Sequence, residues 1–135
     1  MIGIWGSHAQ TFLLVFATIT TVFFAFPIFF KPILWARAMQ WNIPDDTDLA
    51  VYFGRCLGAF ILIIELIAFR AAITGEGLLF VFEVLIAVFS FMLVVHIYGA
   101  IKKIQPITET LENILWIVLL VLTLCFFSVA GHQGK

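Results

Sequence analysis

Charge is what this sequence has least of. Only 11% of its 135 residues are charged, against 64% hydrophobic, and the mean hydropathy is +1.17. A soluble domain is ordinarily about a quarter charged and about half apolar. A short chain also has a large surface for its volume, so this much apolar side chain cannot be hidden from water. A soluble enzyme, a disordered tail and a nucleic-acid binder are thereby excluded, and an integral membrane protein remains. Cysteine is nearly as scarce. Cys56 and Cys125 lie inside apolar runs, with no CxxC and no His or Cys at ligand spacing. That excludes a disulfide framework and a zinc motif, and both read as small core residues. No GxSxG, HExxH, P-loop or Rossmann glycine pattern occurs. No reaction is therefore named by motif, and a non-catalytic role is the plainer expectation.

What is present is four apolar runs of bilayer length. A span needs about 20 apolar residues, and the runs fall at about 10–30, 49–72, 78–100 and 111–130. With no water to satisfy the backbone, each must be helical. β-barrel strands would alternate and be half as long. The first run is no cleavable signal: it lacks a basic n-region, and Pro27 and Lys31 follow it rather than a small-residue cleavage site. The expectation is one all-α, four-helix transmembrane bundle covering residues 1–135. Pro44-Asp45-Asp46-Thr47-Asp48 supplies capping side chains ahead of the second span. Thr74-Gly75-Glu76-Gly77 is a tight turn that makes spans two and three an antiparallel hairpin. Pro106 and Thr108 open the fourth span. Between spans one and two, residues 31–41 carry Lys31, Arg37, Trp35 and Trp41, the composition of a short helix lying in the headgroup layer.

The seven basic and eight acidic groups carry a net charge of −1, so their positions say more than their sum. Loops one–two and three–four hold Lys31, Arg37, Lys102 and Lys103; the other face holds Arg70 and Lys135. Cations gather on the cytoplasmic side, so both termini are expected outside or periplasmic in a cell membrane, with the basic loops in the cytoplasm.

Ionisable residues inside a span are costly and normally face the bundle interior. Glu65 lies nine residues before Thr74 and Glu83 nine after it, so the hairpin sets both carboxylates at one depth. At 1.5 Å per residue that is about 13 Å from the turn. Gly54, Gly58, Glu65, Ala68 and Ala72 fall on one line of span two, and Gly54–Gly58 is a GxxxG match that lets helices approach closely. Glu83, Ala87 and Ser90 share a face of span three. If the two seams meet, the carboxylates become neighbours that can share a proton, hold a cation or pass protons along a path. A protonated Glu acting only as interhelical glue is the simplest alternative. A metal site drawn from His8, Glu65, Glu83 and His132 is a third.

A second polar layer lies in the other half of the slab. Arg55 and His96 differ by three residues in their distance from the turn, and Glu112 and Asn113 reach the same level. Arg55 paired with Glu112, with His96 and Asn113 filling the remaining bonds, would form a satisfied interior network. Alternatively, Arg55 and His96 line a pocket for an anionic or quinone-like headgroup, and a lipid is another possible occupant. His96 has no second membrane His to face it, so a bis-His haem is not expected. The sixteen Phe read as lipid-facing and packing residues.

Leu49-Ala50-Val51-Tyr52-Phe53-Gly54-Arg55-Cys56-Leu57-Gly58, followed by Glu65, resembles the second segment of the DoxX-like family of small four-span membrane proteins. Val95-His96-Ile97-Tyr98-Gly99 looks like that family's His-containing helix end, and Glu112-Asn113-Ile114-Leu115 is similar to its last segment. The resemblance covers roughly residues 10–130; the spacing of Glu65 is looser than the family's. It implies a compact four-helix membrane fold and, for some members, a link to quinone-coupled redox complexes.

Two functional expectations follow. One is a non-catalytic accessory or structural subunit, surrounded by lipid and packed against other membrane subunits or copies of itself. The other is a small proton-coupled transporter or carrier working through Glu65 and Glu83.

Overall fold

The structure, a computed structural model, describes residues 2–127. Four of its helices are long and apolar enough to cross a membrane: α1 (Gly6–Phe30), α3 (Asp48–Thr74), α4 (Leu78–Lys102) and α5 (Ile107–Phe126). A seven-residue helix, α2 (Pro32–Ala38), sits between α1 and α3. Among the described residues every regular element is helical. These are properties expected of a multi-pass membrane protein.

The ends of the helices follow from local chemistry. Pro106, extended at φ −66° and ψ 164°, starts α5 at Ile107, because a proline without an N–H suits a helix entrance. Pro106 opens the span as expected, a turn ahead of the apolar run at 111–130, and residues 128–130 of that run lie outside the described residues. Gly75 closes α3 in the left-handed region at φ 74°, a conformation that costs a residue with Cβ about 1–2 kcal/mol. Ahead of α3 the cap differs from the expectation. Thr47 makes no side-chain bond, while Asp46 Oδ1 accepts the Asp48 N–H at 3.1 Å.

α1 is not a uniform helix. Thr21–Ala25 forms a π-helical turn, just ahead of Pro27. Proline has no N–H to offer the carbonyl of Phe23, so the ladder there is already broken and can widen by a residue. The wide turn lies beside the one carboxylate buried between α1 and α3.

α1 packs on α3, and α4 on α5. The inner faces are joined by aromatics: Phe12 stacks on Phe126 at 4.6 Å and on Phe82 at 6.0 Å, and Phe16 meets Phe89 edge-on at 5.5 Å. Leu13, Ala17, Ala68, Phe82 and Leu85 are fully enclosed. The small-residue seam of α3 is real, but its partner is α1 rather than α4. A Cβ on Gly58 would lie 2.6 Å from the backbone of Phe29, and one on Gly54 would lie 2.5 Å from Pro32 Cβ. Close approach is therefore used to seat the α1–α2 corner on α3.

At one end of the bundle Gln10 donates to the Ala72 carbonyl at 3.1 Å, and the amides of Gly3 and Trp5 donate to Leu124 and Cys125, each at 2.9 Å. At the other end the loop after α2 rests on α5, where the Thr108 hydroxyl donates to the Met39 carbonyl. The two loops rich in Lys and Arg meet there.

Candidate functional site

α4 runs past α5 with His96 on its buried face, and Glu109 and Glu112 project from α5 towards it. The i, i+3 spacing of the two glutamates puts both on one side of the helix. Glu109, in the first turn of α5, also sits at the positive end of the helix dipole. His96 is 5% exposed and Glu109 7%, and the side chain of Glu112 is 11% exposed. Burial this deep demands compensation for each polar atom.

His96 Nδ1 lies 2.8 Å from the Met92 carbonyl oxygen. A carbonyl only accepts, so Nδ1 carries the hydrogen. His96 Nε2 is then turned to Glu109 Oε2 at 3.1 Å and Glu112 Oε2 at 3.3 Å. A neutral imidazole with this tautomer has a lone pair at Nε2, and ionised carboxylates are acceptors only. Three acceptors thus converge where at least one positive species, a proton or a metal ion, is required between them. Among the described residues no Lys or Arg pairs with this group; the other ion pair is the exposed Arg70–Glu76.

The surroundings hold the three in place. The Trp41 indole N–H donates to Glu109 Oε1 at 2.7 Å. Gln105 Nε2 donates to the His96 carbonyl at 3.0 Å and to Thr110 Oγ1 at 3.2 Å. The Gln105 side chain lies where a Cβ on Gly99 would be, so glycine is required to admit that clamp. The Trp116 ring is 5.5 Å from the His96 ring. Asn113 Nδ2 donates to the Thr110 carbonyl at 2.9 Å. Asn113 Oδ1 and Trp116 Nε1 are buried without a partner among the described residues.

Of the expected second layer, the structure brings His96 and Glu112 together, with Asn113 beside them. Arg55 is elsewhere. It is exposed, on an open groove of about 520 Å³ with Phe29, Asp48, Val51, Tyr52, Cys56 and Ala59. The reason is rotational: with Gly54 and Gly58 seated on α1, Arg55 is turned roughly 80° away from that line at about 100° per residue. The Arg55–Glu112 pair and the joint Arg55–His96 pocket are thus not formed.

The expected Glu65–Glu83 pair is not formed either. Glu65 is 3% exposed and faces α1, where the Thr20 hydroxyl lies 2.5 Å from its Oε1. Glu83 and Ala87 point outward, because Phe82, Leu85 and Phe89 occupy the inner face of α4. Large aromatics displaced the small-residue seam. The His8–Glu65–Glu83–His132 metal set fails with that pair: His8 is exposed, and His132 lies outside the described residues. Cys56 and Cys125 are both free.

Sequence reading missed Glu109 and Trp41. The Glu109-Thr110-Leu111-Glu112 spacing was the available signal for the first. Trp41 lies on a loop, and nothing local announced its reach to α5.

Fold and site together define a bundle of four helices of membrane-spanning length with a buried His–Glu–Glu centre near one end. No family model, curated protein or solved structure matches the chain.

Proposed function

We propose that this protein is a non-catalytic, multi-pass component of a cell membrane that holds a cation, a proton or a metal ion, at the His96–Glu109–Glu112 centre. The observation that carries this reading is the convergence of Nε2 and two carboxylate oxygens, with Nδ1 already committed to Met92. Ligand sites in helical bundles are commonly built this way, from inward side chains on facing helices.

The outer surface supports a role inside a larger assembly. Large apolar residues such as Phe91, Ile73 and Ile101 are more than 70% exposed, ready for lipid, other membrane subunits or further copies of the chain. In this reading α2 lies in the headgroup layer, and Lys31, Arg37, Lys102 and Lys103 face the cytoplasm. The cation centre is then on the cytoplasmic side. The DoxX-like resemblance, taken together with this, would place the assembly beside a membrane oxidoreductase. The transporter alternative keeps no support from a Glu65–Glu83 pair.

The test is unfolding of the detergent-purified protein across pH and across a panel of metal ions with and without chelator. The expected result is a stability that depends on at least one of these cations, and loses that dependence in the H96L/E109Q/E112Q variant. A wild-type stability indifferent to every cation would overturn the reading.

A further inference from the structure

We propose that the ion taken up by the His96–Glu109–Glu112 centre is a divalent transition metal, which rests on the cation-centre reading above. Three features of the site point to this class. The first is the donor set. An imidazole nitrogen suits zinc, iron, copper or nickel, whereas magnesium and calcium prefer oxygen alone. The second is spacing. Ligands about 2.0–2.2 Å from a tetrahedral ion stand about 3.3 Å from one another. His96 Nε2 lies 3.1 and 3.3 Å from the two carboxylate oxygens, and the three ligand atoms all fall within 4.8 Å of one another. The third is charge. A dication with two carboxylates and a neutral imidazole is electrically neutral, which suits a buried site near hydrocarbon.

The supporting contacts are those of a metal site. Metal-bound histidines normally give their other N–H to a carbonyl or carboxylate, which sets the tautomer; here Met92 receives it. The Trp41 indole orients Glu109 from its far oxygen. Asn113 and Trp116 share the face of α5 that carries both glutamates, and each has a buried polar atom without a partner. An acceptor at Asn113 Oδ1 and a donor at Trp116 Nε1 match what an ion's remaining water ligand needs.

Cobalt(II) is the probe, because its visible bands report coordination and it quenches nearby indoles. Full-length protein in mild detergent is stripped with chelator and titrated with Co²⁺. One equivalent per chain should bind, with quenching of the Trp41 and Trp116 emission, and Zn²⁺ but not excess Mg²⁺ should displace it. Glu112→Gln, which keeps the shape of the side chain, should abolish the bands. Trp41→Phe should keep the stoichiometry and weaken binding about 10- to 100-fold, as loss of a ligand's supporting hydrogen bond does. Binding unchanged in Glu112→Gln, displacement by Mg²⁺, or no Co²⁺ binding by folded protein would each overturn the proposal. If proton-dependent stability survives in that last case, the cation centre stands and its occupant is a proton.

Discussion

The Thr20 hydroxyl oxygen lies 2.5 Å from Glu65 Oε1, across the interface of α1 and α3. The same hydroxyl lies 2.8 Å from the Phe16 carbonyl, and a hydroxyl has one hydrogen to give. Either it donates to Glu65, or it donates to Phe16 and accepts from a protonated Glu65. Both arrangements make Glu65 a clasp between two helices at the π-helical turn.

That clasp tolerates an amide. Glu65→Gln keeps a donor and an acceptor and is expected to lose less than about 1 kcal/mol, while Glu65→Ala removes the bond between the two helices and leaves a void, costing about 2–4 kcal/mol. Denaturant unfolding in micelles checks the order. An equal loss in both variants would show that the charge, not the hydrogen bond, is what α1 needs.

Glu83 is the contrasting carboxylate. It faces outward five residues from the start of α4, and a charge turned towards hydrocarbon is costly, so Glu83→Gln should leave stability unchanged or raise it. A loss comparable to Glu65→Ala in the same assay would mean that Glu83 has an inward partner.

The α1–α3 contact should be intolerant of bulk at one glycine. A Cβ on Gly58 meets the Phe29 backbone at 2.6 Å, whereas one on Gly77 meets nothing within 4 Å. Gly58→Ala is expected to cost about 1–3 kcal/mol through overpacking. Gly77→Ala pays only for its positive φ, about 1–2 kcal/mol, and Gly58→Leu should prevent folding where Gly77→Leu does not. Yield of monodisperse protein distinguishes the two.

The loop after α2 is tied to α5 by Trp41 on Glu109 and by Thr108 on the Met39 carbonyl. Each bond is worth about 0.5–1.5 kcal/mol. The Trp41→Phe/Thr108→Val double variant should be cut faster by protease between residues 39 and 47, with the helices intact. Unchanged cleavage would show that the loop is held by other contacts.

Orientation is open to direct labelling. With Cys56 and Cys125 replaced by alanine, a cysteine substituted at Lys103 should be shielded from an impermeant thiol reagent added to intact cells. One substituted at Glu76 should react. The reverse pattern would invert the topology argued from Lys31, Arg37, Lys102 and Lys103.

Helix number and approximate bounds were legible because a bilayer imposes one length on every span and the turns at Thr74–Gly77 and Lys103–Pro106 are polar. Depth was legible too: counting from the hairpin turn put His96 and Glu112 at one level, and the structure joins them. Rotation about each helix axis was not. On α4 a small-residue line through Glu83 and an aromatic line through Phe82, Leu85 and Phe89 were both available, and the choice depends on which volumes fill the space beside Phe12 and Phe16. On α3 the glycine line was recognisable, but its partner was not, since either neighbour could accept a smooth face. That choice sent Arg55 outward. Glu109 escaped notice because it lies in the polar opening turn of the helix, two residues before the apolar run that marks the span.

The amides of Gly3 and Trp5 are bonded to carbonyls at the far end of α5. During synthesis those amides emerge well before their acceptors. α1 and α3 can associate as a pair while the rest of the chain is still being made, but the ring is sealed only when α5 arrives. Until then Phe12 lacks Phe126, and the inner aromatic face stands open in the bilayer. Synthesis of α5 is thus the event that shuts the bundle, and a translation product stopped before Leu124 would be left with an unclosed seam.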